Sequence, residues 1–142
     1  METAGYSGTP LAKKLGIKEG FNIKLINAPE YYLQLFLDFP SNTKIIKDDL
    51  TKINFIHFFP VNAGELNNKI LALKKQLHPD GMIWISWYKK SAKIPTDVTE
   101  DIIRTLALKN GLVDIKVCAV DELWSGLKLV IPVKDRVVKI KK

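Results

Sequence analysis

Apolar residues occur in two kinds of segment that follow each other along this chain. Some segments are short, nearly continuous apolar runs, and others are longer stretches with helical spacing. The runs at residues 21–26, 53–59 and 82–87 are typical of strands that are covered on both faces of a sheet. Between the second and third runs, apolar residues recur every three or four positions, which predicts a helix with one buried stripe. Asn62 and Glu65 have the spacing of a capping box at the start of this helix. The stripe consists of Leu66, Ile70, Leu73 and Leu77.

Three further helices are predicted around these strands. A short one follows Thr9, which can cap it. Residues 30–39 are apolar almost all round, and this predicts a helix buried on more than one side. A third helix begins at Thr96 or Asp97, where a second box-like start occurs, and ends at Gly111.

The last third of the chain changes to strict alternation. Apolar and polar residues alternate along 113–119 and again along 127–131, and a short loop separates the two segments. This pattern predicts an antiparallel hairpin. The predicted fold is therefore a single three-layer α/β domain with a Rossmann-like mixed sheet, mainly parallel and ending in the antiparallel hairpin.

Length and composition fit one globular domain, with 142 residues, 46% hydrophobic and 26% charged. We assign residues 1–133 to this domain, with 1–8 as a flexible arm, and residues 134–142 to a basic tail. The tail holds five basic residues and one acidic residue, a large share of the net charge of +7. A charge concentrated in a tail without interleaved aromatic residues argues against a specific nucleic-acid interface.

Several features bear on where the protein acts. No apolar run approaches the roughly 20 residues of a membrane helix, and the first residues lack the regions of a signal peptide. A single cysteine, Cys118, excludes an internal disulfide and suits a reducing compartment. We therefore expect a soluble cytoplasmic protein that does not bind membranes.

Two segments resemble parts of class I methyltransferases. The run "KKLGIKEGFNIKLINAP" resembles the approach to the first strand of that fold, and "LHPDGMIWIS" resembles its late "L-x-P-G-G" turn and strand. A helix and a closing antiparallel hairpin follow in the same order. The resemblance implies a shortened methyltransferase-type Rossmann fold, with roughly one βαβ portion missing between its first helix and Ile53.

A second resemblance covers more of the chain. The segments "GYSGTPLAKKLGIK", "KKSAKIPTDVTEDIIR" and "GLVDIKVCAVDELWSGLKLV" are similar, in matching order, to an uncharacterised bacterial family known as domain of unknown function 3052. This resemblance implies a small cytoplasmic α/β protein without an assigned activity. It supplies no catalytic residues.

The turn after the first strand departs from the methyltransferase pattern. The resemblance implies a glycine-rich turn there, close to S-adenosylmethionine, but residues 27–32 contain no glycine, and Pro29 removes an N–H. The ribose-binding acid usual after the second strand has no clear counterpart, although Asp48 and Asp49 lie nearby in sequence. We therefore expect no cofactor, and the turn disfavours S-adenosylmethionine in particular.

The residues most often used in catalysis and metal binding form no recognisable pattern. His57 lies inside a strand and fits a hydrogen-bonded core residue, whereas His78 lies at a turn. Together with Cys118 they lack metal-ligand spacing, so we expect no metal. Trp124, in the hairpin loop, either folds back as a plug over the core or lines a surface for a ligand or partner.

Lys89 and Lys90 follow the end of a core strand, and open α/β sheets bind ligands at that edge. Ser91 and Thr96 add hydrogen-bond donors beside them. The pattern indicates either a site for a small anion or a solvated loop in which nearby acids neutralise the lysines. Those acids are Asp97, Glu100 and Asp101.

The leading hypothesis is a non-catalytic binding or regulatory domain for a small anionic ligand or an acidic partner surface. One alternative is an S-adenosylmethionine-dependent methyltransferase with a degenerate cofactor loop. Another is electrostatic binding of nucleic acid through the basic tail. No catalytic residue is assigned. The candidate ligand-binding residues are Lys89, Lys90, Ser91, Thr96, Ser7, Thr9 and Trp124.

Overall fold

A computed structural model describes residues 10–136 of the chain. Three α-helices and six strands follow one another in an order close to the predicted one. They are α1 (Leu11–Leu15), β1 (Asn22–Ile26), β2 (Lys44–Ile45), β3 (Ile53–Phe58), α2 (Ala63–Gln76), β4 (Leu77–Tyr88), α3 (Glu100–Lys109), β5 (Val113–Ala119) and β6 (Trp124–Val130).

The six strands form one sheet in the order β2-β1-β3-β4-β6-β5. β1, β2, β3 and β4 are parallel to one another, and β6 runs antiparallel to both β4 and β5. The prediction of a mainly parallel sheet with a C-terminal antiparallel hairpin is confirmed. The chain leaves β1 toward β2 and then returns to β3 on the other side of β1. The strand order therefore reverses between β1 and β3, and ligands of open α/β sheets bind at such a switch point.

Helices and loops cover both faces of the sheet. One face, called the α2–α3 face, packs against α2 and α3 around Ile56, Ile70 and Ile103, all fully buried. The other, called the α1 face, packs against α1 and a loop segment around Leu15 and Trp84. This double coverage explains why the parallel strands have continuous apolar runs instead of alternating ones.

The start of α2 agrees with its prediction. The Asn62 side chain accepts a hydrogen bond from the Glu65 backbone N–H at 2.8 Å. The predicted stripe faces the core, since Leu66 and Ile70 are fully buried and Leu73 is 5% exposed.

The start of α3 differs from its prediction. The helix begins at Glu100, and Thr99 caps it by accepting a hydrogen bond from the Ile102 N–H at 3.2 Å. Thr96 instead accepts a bond from the Val98 N–H at 3.1 Å and so closes a separate turn. Val98, between these two threonines, is buried in the core. The chain stays non-helical up to Thr99, and this places the Val98 side chain in the core.

The predicted helix at residues 30–39 is wrong. Only Tyr32–Leu35 forms helix, as one 3₁₀ turn, and Phe36 is already extended. Tyr32 and Phe36 reach the core, but Leu37 is 97% exposed. This segment has more apolar residues than the neighbouring sheet edge can bury, because β2 at that edge is only two residues long.

The short helix α1 is attached to the sheet through its last carbonyl groups. Gly16 ends the helix in the left-handed conformation, with φ of 86°. The Trp84 indole N–H donates to the Leu15 carbonyl at 2.8 Å, and the Lys116 ammonium donates to the Lys14 carbonyl at 3.1 Å. A five-residue helix is thereby fixed against strands from the middle and the end of the chain.

Both predicted terminal segments lie largely outside the described residues. The arm at 1–8 and residues 137–142 of the tail belong to the undescribed part, so the domain boundaries and nucleic-acid binding through the tail stay predictions. Arg136, at the start of the tail, donates to the Ile131 carbonyl at 3.0 Å. Among residues 10–136, no helix has the length and apolar character needed to cross a lipid bilayer.

Candidate functional site at the carboxyl edge

Asn27 lies at the switch point, directly after β1. Its φ of 59° is in the left-handed region, which asparagine tolerates better than most residues. The Asn27 amide donates to the Phe59 carbonyl at 3.1 Å and to the Glu65 carboxylate at 3.0 Å. One side chain therefore connects the ends of β1 and β3 with the first turn of α2.

Glu65 is a half-buried carboxylate at this switch point. It accepts hydrogen bonds from the Val61 backbone N–H at 2.7 Å, from Asn27, and from the Lys69 ammonium at 2.9 Å. Burial alone would raise the pKa of Glu65, but these donors outweigh burial and lower it. Glu65 is therefore ionised at neutral pH, and it bonds the Val61 N–H in place of the Asn62 N–H expected in a capping box.

A buried polar chain lies beneath the segment that follows β1, on the α1 face. The Tyr32 hydroxyl contacts His57 Nδ1 at 2.8 Å, and His57 Nε2 contacts the Ser86 hydroxyl at 2.8 Å. Burial lowers the pKa of His57 to about 3 and raises that of Tyr32. A neutral imidazole serves both bonds, one nitrogen donating and the other accepting. His57 is thus the hydrogen-bonded core residue that the sequence predicts.

Trp124 closes the same edge on the α1 face. It is 9% exposed, stacks on Tyr88 with ring centroids 4.1 Å apart, and meets Phe59 edge-on at 4.9 Å. Its indole N–H donates to the Tyr31 hydroxyl at 3.2 Å. Of the two predicted roles, this geometry matches the plug over the core, because the indole ring contacts two aromatic side chains and its N–H bonds a third.

Lys89 and Lys90 lie where the sequence places them, at the exit of β4. The Lys89 backbone N–H donates to the Leu123 carbonyl at 2.8 Å, which holds the loop against the hairpin. Lys90 begins a 3₁₀ turn that places Ser91 on the surface, and Lys93 follows with φ of 55°. Within the described part of the chain, none of these three lysines forms an ion pair.

The acids expected to neutralise these lysines have other partners. Asp97 accepts a hydrogen bond from the Ala63 backbone N–H at 2.8 Å. Glu100 and Asp101 both pair with Arg104, at 2.6 and 3.5 Å. The positive charge of the lysines at the exit of β4 is therefore not offset by the acids of α3.

The remaining candidate residues are not all part of this edge. Thr96 uses its hydroxyl in the turn before α3. Ser7 and Thr9 lie outside the described residues. The sequence thus identifies one coherent group, Lys89 to Ser91, and Trp124 packs beside it through Tyr88.

Asp48 and Asp49 do not supply an acid at the switch point. The Asp48 carboxylate accepts the Leu50 and Thr51 backbone N–H groups at 2.9 and 2.7 Å, and so closes a turn of its own. The Asp49 carboxylate pairs with Lys24 at 3.0 Å. Among residues 10–136, no three His, Cys, Asp or Glu side chains come together as metal ligands would.

A mainly apolar groove opens beside this edge, between the first turns of α2 and α3. Its volume is about 430 Å³, and its walls include Gly64 and Asn67 from α2 and Ile102 and Leu106 from α3. The bond from the Ala63 N–H to Asp97 joins the two helices at the end of this groove.

The sequence pattern does not single out Asn27, and it indicates only a capping role for Glu65. The two residues are 38 positions apart, and no local pattern shows that they meet. The available signal is topological, because a strand order that reverses between β1 and β3 brings the residues after both strands together.

Comparisons with known proteins identify the fold. No family model matches the chain, and no curated protein matches it either. Among solved structures, a SAM dependent methyltransferase from Aquifex aeolicus matches with a TM-score of 0.58 and 14% identity, over 85% of this chain and 87% of that one. Magnesium protoporphyrin IX methyltransferase from Synechocystis PCC 6803 with bound SAM matches with a TM-score of 0.54 and 12% identity, over 84% and 74%.

A third similar structure is described as a pericyclic reaction enzyme. It matches with a TM-score of 0.54 and 10% identity over 92% of this chain and 50% of its own. The methyltransferase-like Rossmann fold that the sequence predicts is therefore confirmed. Similarity to domain of unknown function 3052 stays a prediction, since no family model matches.

These matches correct two predictions. The non-catalytic binding domain is contradicted, because the solved structures most similar in fold include SAM-dependent methyltransferases. The expectation of no cofactor is contradicted as well, because structures with this fold contain bound S-adenosylmethionine. Both predictions were based on the absence of glycine from residues 27–32. That absence concerns one turn, whereas a ligand can contact the whole carboxyl edge of the sheet. The fold that the chain shares with these enzymes is that of S-adenosylmethionine-dependent methyltransferases.

Proposed function

We propose that this protein is an S-adenosylmethionine-dependent methyltransferase with an altered cofactor turn. The observation that carries the proposal is the Glu65 carboxylate, which lies half-buried at the switch point between β1 and β3. Open α/β sheets bind ligands at this switch point, and a carboxylate can accept hydrogen bonds from ribose hydroxyls. Glu65 follows β3, on the opposite side of β1 from the shortened second strand, so in this proposal it binds the ribose from a different position than the acid usual after that strand.

The groups at this edge fit the nucleoside portion of the cofactor. Glu65 is ionised, and its two oxygens accept hydrogen bonds from Val61, Asn27 and Lys69. To accept a diol it exchanges the bond from the exposed Lys69 ammonium for one from a ribose hydroxyl. Val61, 72% exposed beside it, offers apolar surface to a purine ring. The fit is different at the turn after β1, where Asn27 and Tyr31 occupy the space that glycines leave open to methionine. Asn27 and Tyr31, in place of a glycine backbone, would be the groups of this turn that contact the methionine portion.

Each group has a distinct task in this proposal. The cofactor supplies an electrophilic methyl group. Glu65 binds the ribose, and Asn27 keeps Glu65 oriented through its amide. Lys89 and Lys90 hold an acceptor that carries negative charge, because within the described part of the chain their ammonium groups have no carboxylate partner. Tyr88, which stacks on the buried Trp124, forms a rigid aromatic wall beside that acceptor.

Calorimetry with S-adenosylmethionine tests the proposal directly. We expect the wild-type chain to bind the cofactor, and Glu65→Gln to weaken binding about tenfold or more, since a charged hydrogen bond contributes about 1.5–3 kcal/mol. Glu122→Gln is a matched control, because it removes the same charge from an exposed residue outside the switch point. No binding heat at about 1 mM cofactor, which corresponds to the weakest specific affinities, would remove the proposal.

A further inference from the structure

Two lysines face each other on the α1 face of the hairpin, away from the carboxyl edge. Lys116 of β5 and Lys128 of β6 are directly opposite in the strand register. Like charges in this position repel each other and destabilise the sheet. Lys128 is half-buried, and its ammonium nitrogen would lie 3.7 Å from a Cβ atom placed on Gly16, at the end of α1.

Lys18 adds a third positive charge, and we call Lys18, Lys116 and Lys128 the lysine cluster. Burial, together with the charges of Lys116 and Lys18, lowers the pKa of Lys128. Across residues 10–136, no carboxylate forms an ion pair with any member of the cluster. Within this part of the chain, the fold therefore places these positive charges near one another without a carboxylate at ion-pair distance.

The attachment of α1 accounts for only part of this arrangement. The Lys116 ammonium donates one hydrogen bond, to the Lys14 carbonyl at 3.1 Å. An ammonium group has three donors, so Lys116 retains two. A carbonyl group offers a partial charge and cannot balance three cations. Holding α1 in place explains one contact of Lys116 but not the presence of Lys18 and Lys128.

We propose that the lysine cluster binds a phosphate group, either inorganic phosphate or a phosphate monoester. Such a group carries a charge of about −1.5 to −2 at neutral pH and several acceptor oxygens, which suits the paired ammonium groups of Lys116 and Lys128 with the charge of Lys18 nearby. The site is separate from the carboxyl edge, since Lys128 pairs with Trp84 in the middle of β4 while the edge lies at Tyr88. The inference is thus independent of the proposed methyltransferase function.

Thermal unfolding at constant ionic strength, with sodium chloride replaced by about 5 mM phosphate, tests this site. When the free phosphate concentration is about ten times the Kd of the site, binding stabilises the folded state by RT ln 11. We therefore expect the melting temperature of the wild type to rise by about 3 °C or more. Lys128→Met and Lys116→Met should each abolish this rise. Lys128→Met should also raise the melting temperature without phosphate, because this substitution removes the repulsion between strands and, within the described residues, breaks no side-chain hydrogen bond of Lys128.

A matched control separates specific binding from the general effect of phosphate on stability. Lys75→Met removes the same charge from an exposed position on α2, and it should keep the wild-type response to phosphate. An equal rise for the wild type and Lys128→Met overturns the proposal. So does a response to a short single-stranded oligonucleotide without a response to inorganic phosphate, since that result assigns the cluster to phosphodiesters. In the wild type, NMR of the Lys128 side chain should show its pKa rising when phosphate is added.

Discussion

The Asp97 carboxylate accepts a hydrogen bond from the Ala63 backbone N–H, with a distance of 2.8 Å between oxygen and nitrogen. Ala63 is the first residue of α2, and Asp97 lies in the loop that precedes α3. The bond therefore satisfies one of the N–H groups that a helix leaves unpaired at its start, and it places negative charge at the positive end of α2. Because Asp97 is held there, it does not neutralise Lys89 or Lys90.

Asp97→Ala should lower the free energy of unfolding by about 1 kcal/mol, the usual loss when a helix cap is removed. Asp97→Asn should lower it less, because the amide oxygen still accepts the Ala63 N–H. Urea denaturation of both variants measures the difference. Asp101→Ala is the control, since its side chain is 97% exposed and it should change stability by less than about 0.5 kcal/mol. Equal losses for Asp97→Ala and Asp97→Asn would assign the effect to charge alone.

The double variant Lys89→Ala/Lys90→Ala should keep the stability of the wild type within about 0.5 kcal/mol, because neither side chain forms an ion pair within the described residues. It should also keep the affinity for S-adenosylmethionine. Methyl transfer to negatively charged acceptors from a substrate screen should fall at least tenfold, and uncharged acceptors should be unaffected. Calorimetry and transfer of a radiolabelled methyl group measure these quantities.

Lys75→Ala/Lys109→Ala provides the control for that experiment. Both lysines are exposed on helix surfaces, so this variant changes the net charge equally without altering the exit of β4. A similar loss of transfer in both double variants would show that overall charge attracts the acceptor. The assignment of Lys89 and Lys90 as acceptor-binding residues would then be wrong.

His57 should make the protein lose stability in acid. Its pKa is about 3 in the folded state and about 6.5 in an unfolded chain, so below pH 6.5 protons bind preferentially to the unfolded state. The contribution of His57 is complete above pH 6.5 and is lost as the pH falls toward 3. By linkage the loss reaches about 4–5 kcal/mol near pH 3, which is comparable to the total stability of many domains.

NMR of the imidazole ring tests this prediction without any substitution. The His57 ring should remain neutral down to about pH 4 as long as the protein is folded, since both ring nitrogens are hydrogen-bonded in the core. Urea denaturation between pH 7 and pH 4 should show the accompanying loss of stability. A His57 ring that titrates near pH 6.5 in the folded protein would contradict the buried arrangement.

The sequence predicts the sheet well because strand signals are local. Continuous apolar runs mark β3 and β4, and strict alternation marks the hairpin. The order of the elements then allows few topologies, and the reduced second strand agrees with a missing βαβ portion. These features depend on periodicity, which a single sequence contains.

The failures arise where tertiary contacts decide between local alternatives. Thr96, Asp97 and Thr99 can all cap a helix, and the burial of Val98 selects Thr99. The candidate site depends on contacts between residues far apart in sequence, such as Asn27 with Glu65. Nothing in either local segment indicates that contact, so the site becomes visible only when the strand order is known.

The attachment of α1 has a consequence for biosynthesis. The Lys14 carbonyl binds Lys116, which is 102 positions later in the chain, and the Leu15 carbonyl binds Trp84. While the protein is being translated, α1 leaves the ribosome long before either partner exists, and an isolated helix of five residues is not stable in water. The side of α1 that packs against the sheet therefore stays exposed to solvent until β4 and the hairpin have been synthesised. Chaperones that act on nascent chains can bind this segment during that interval.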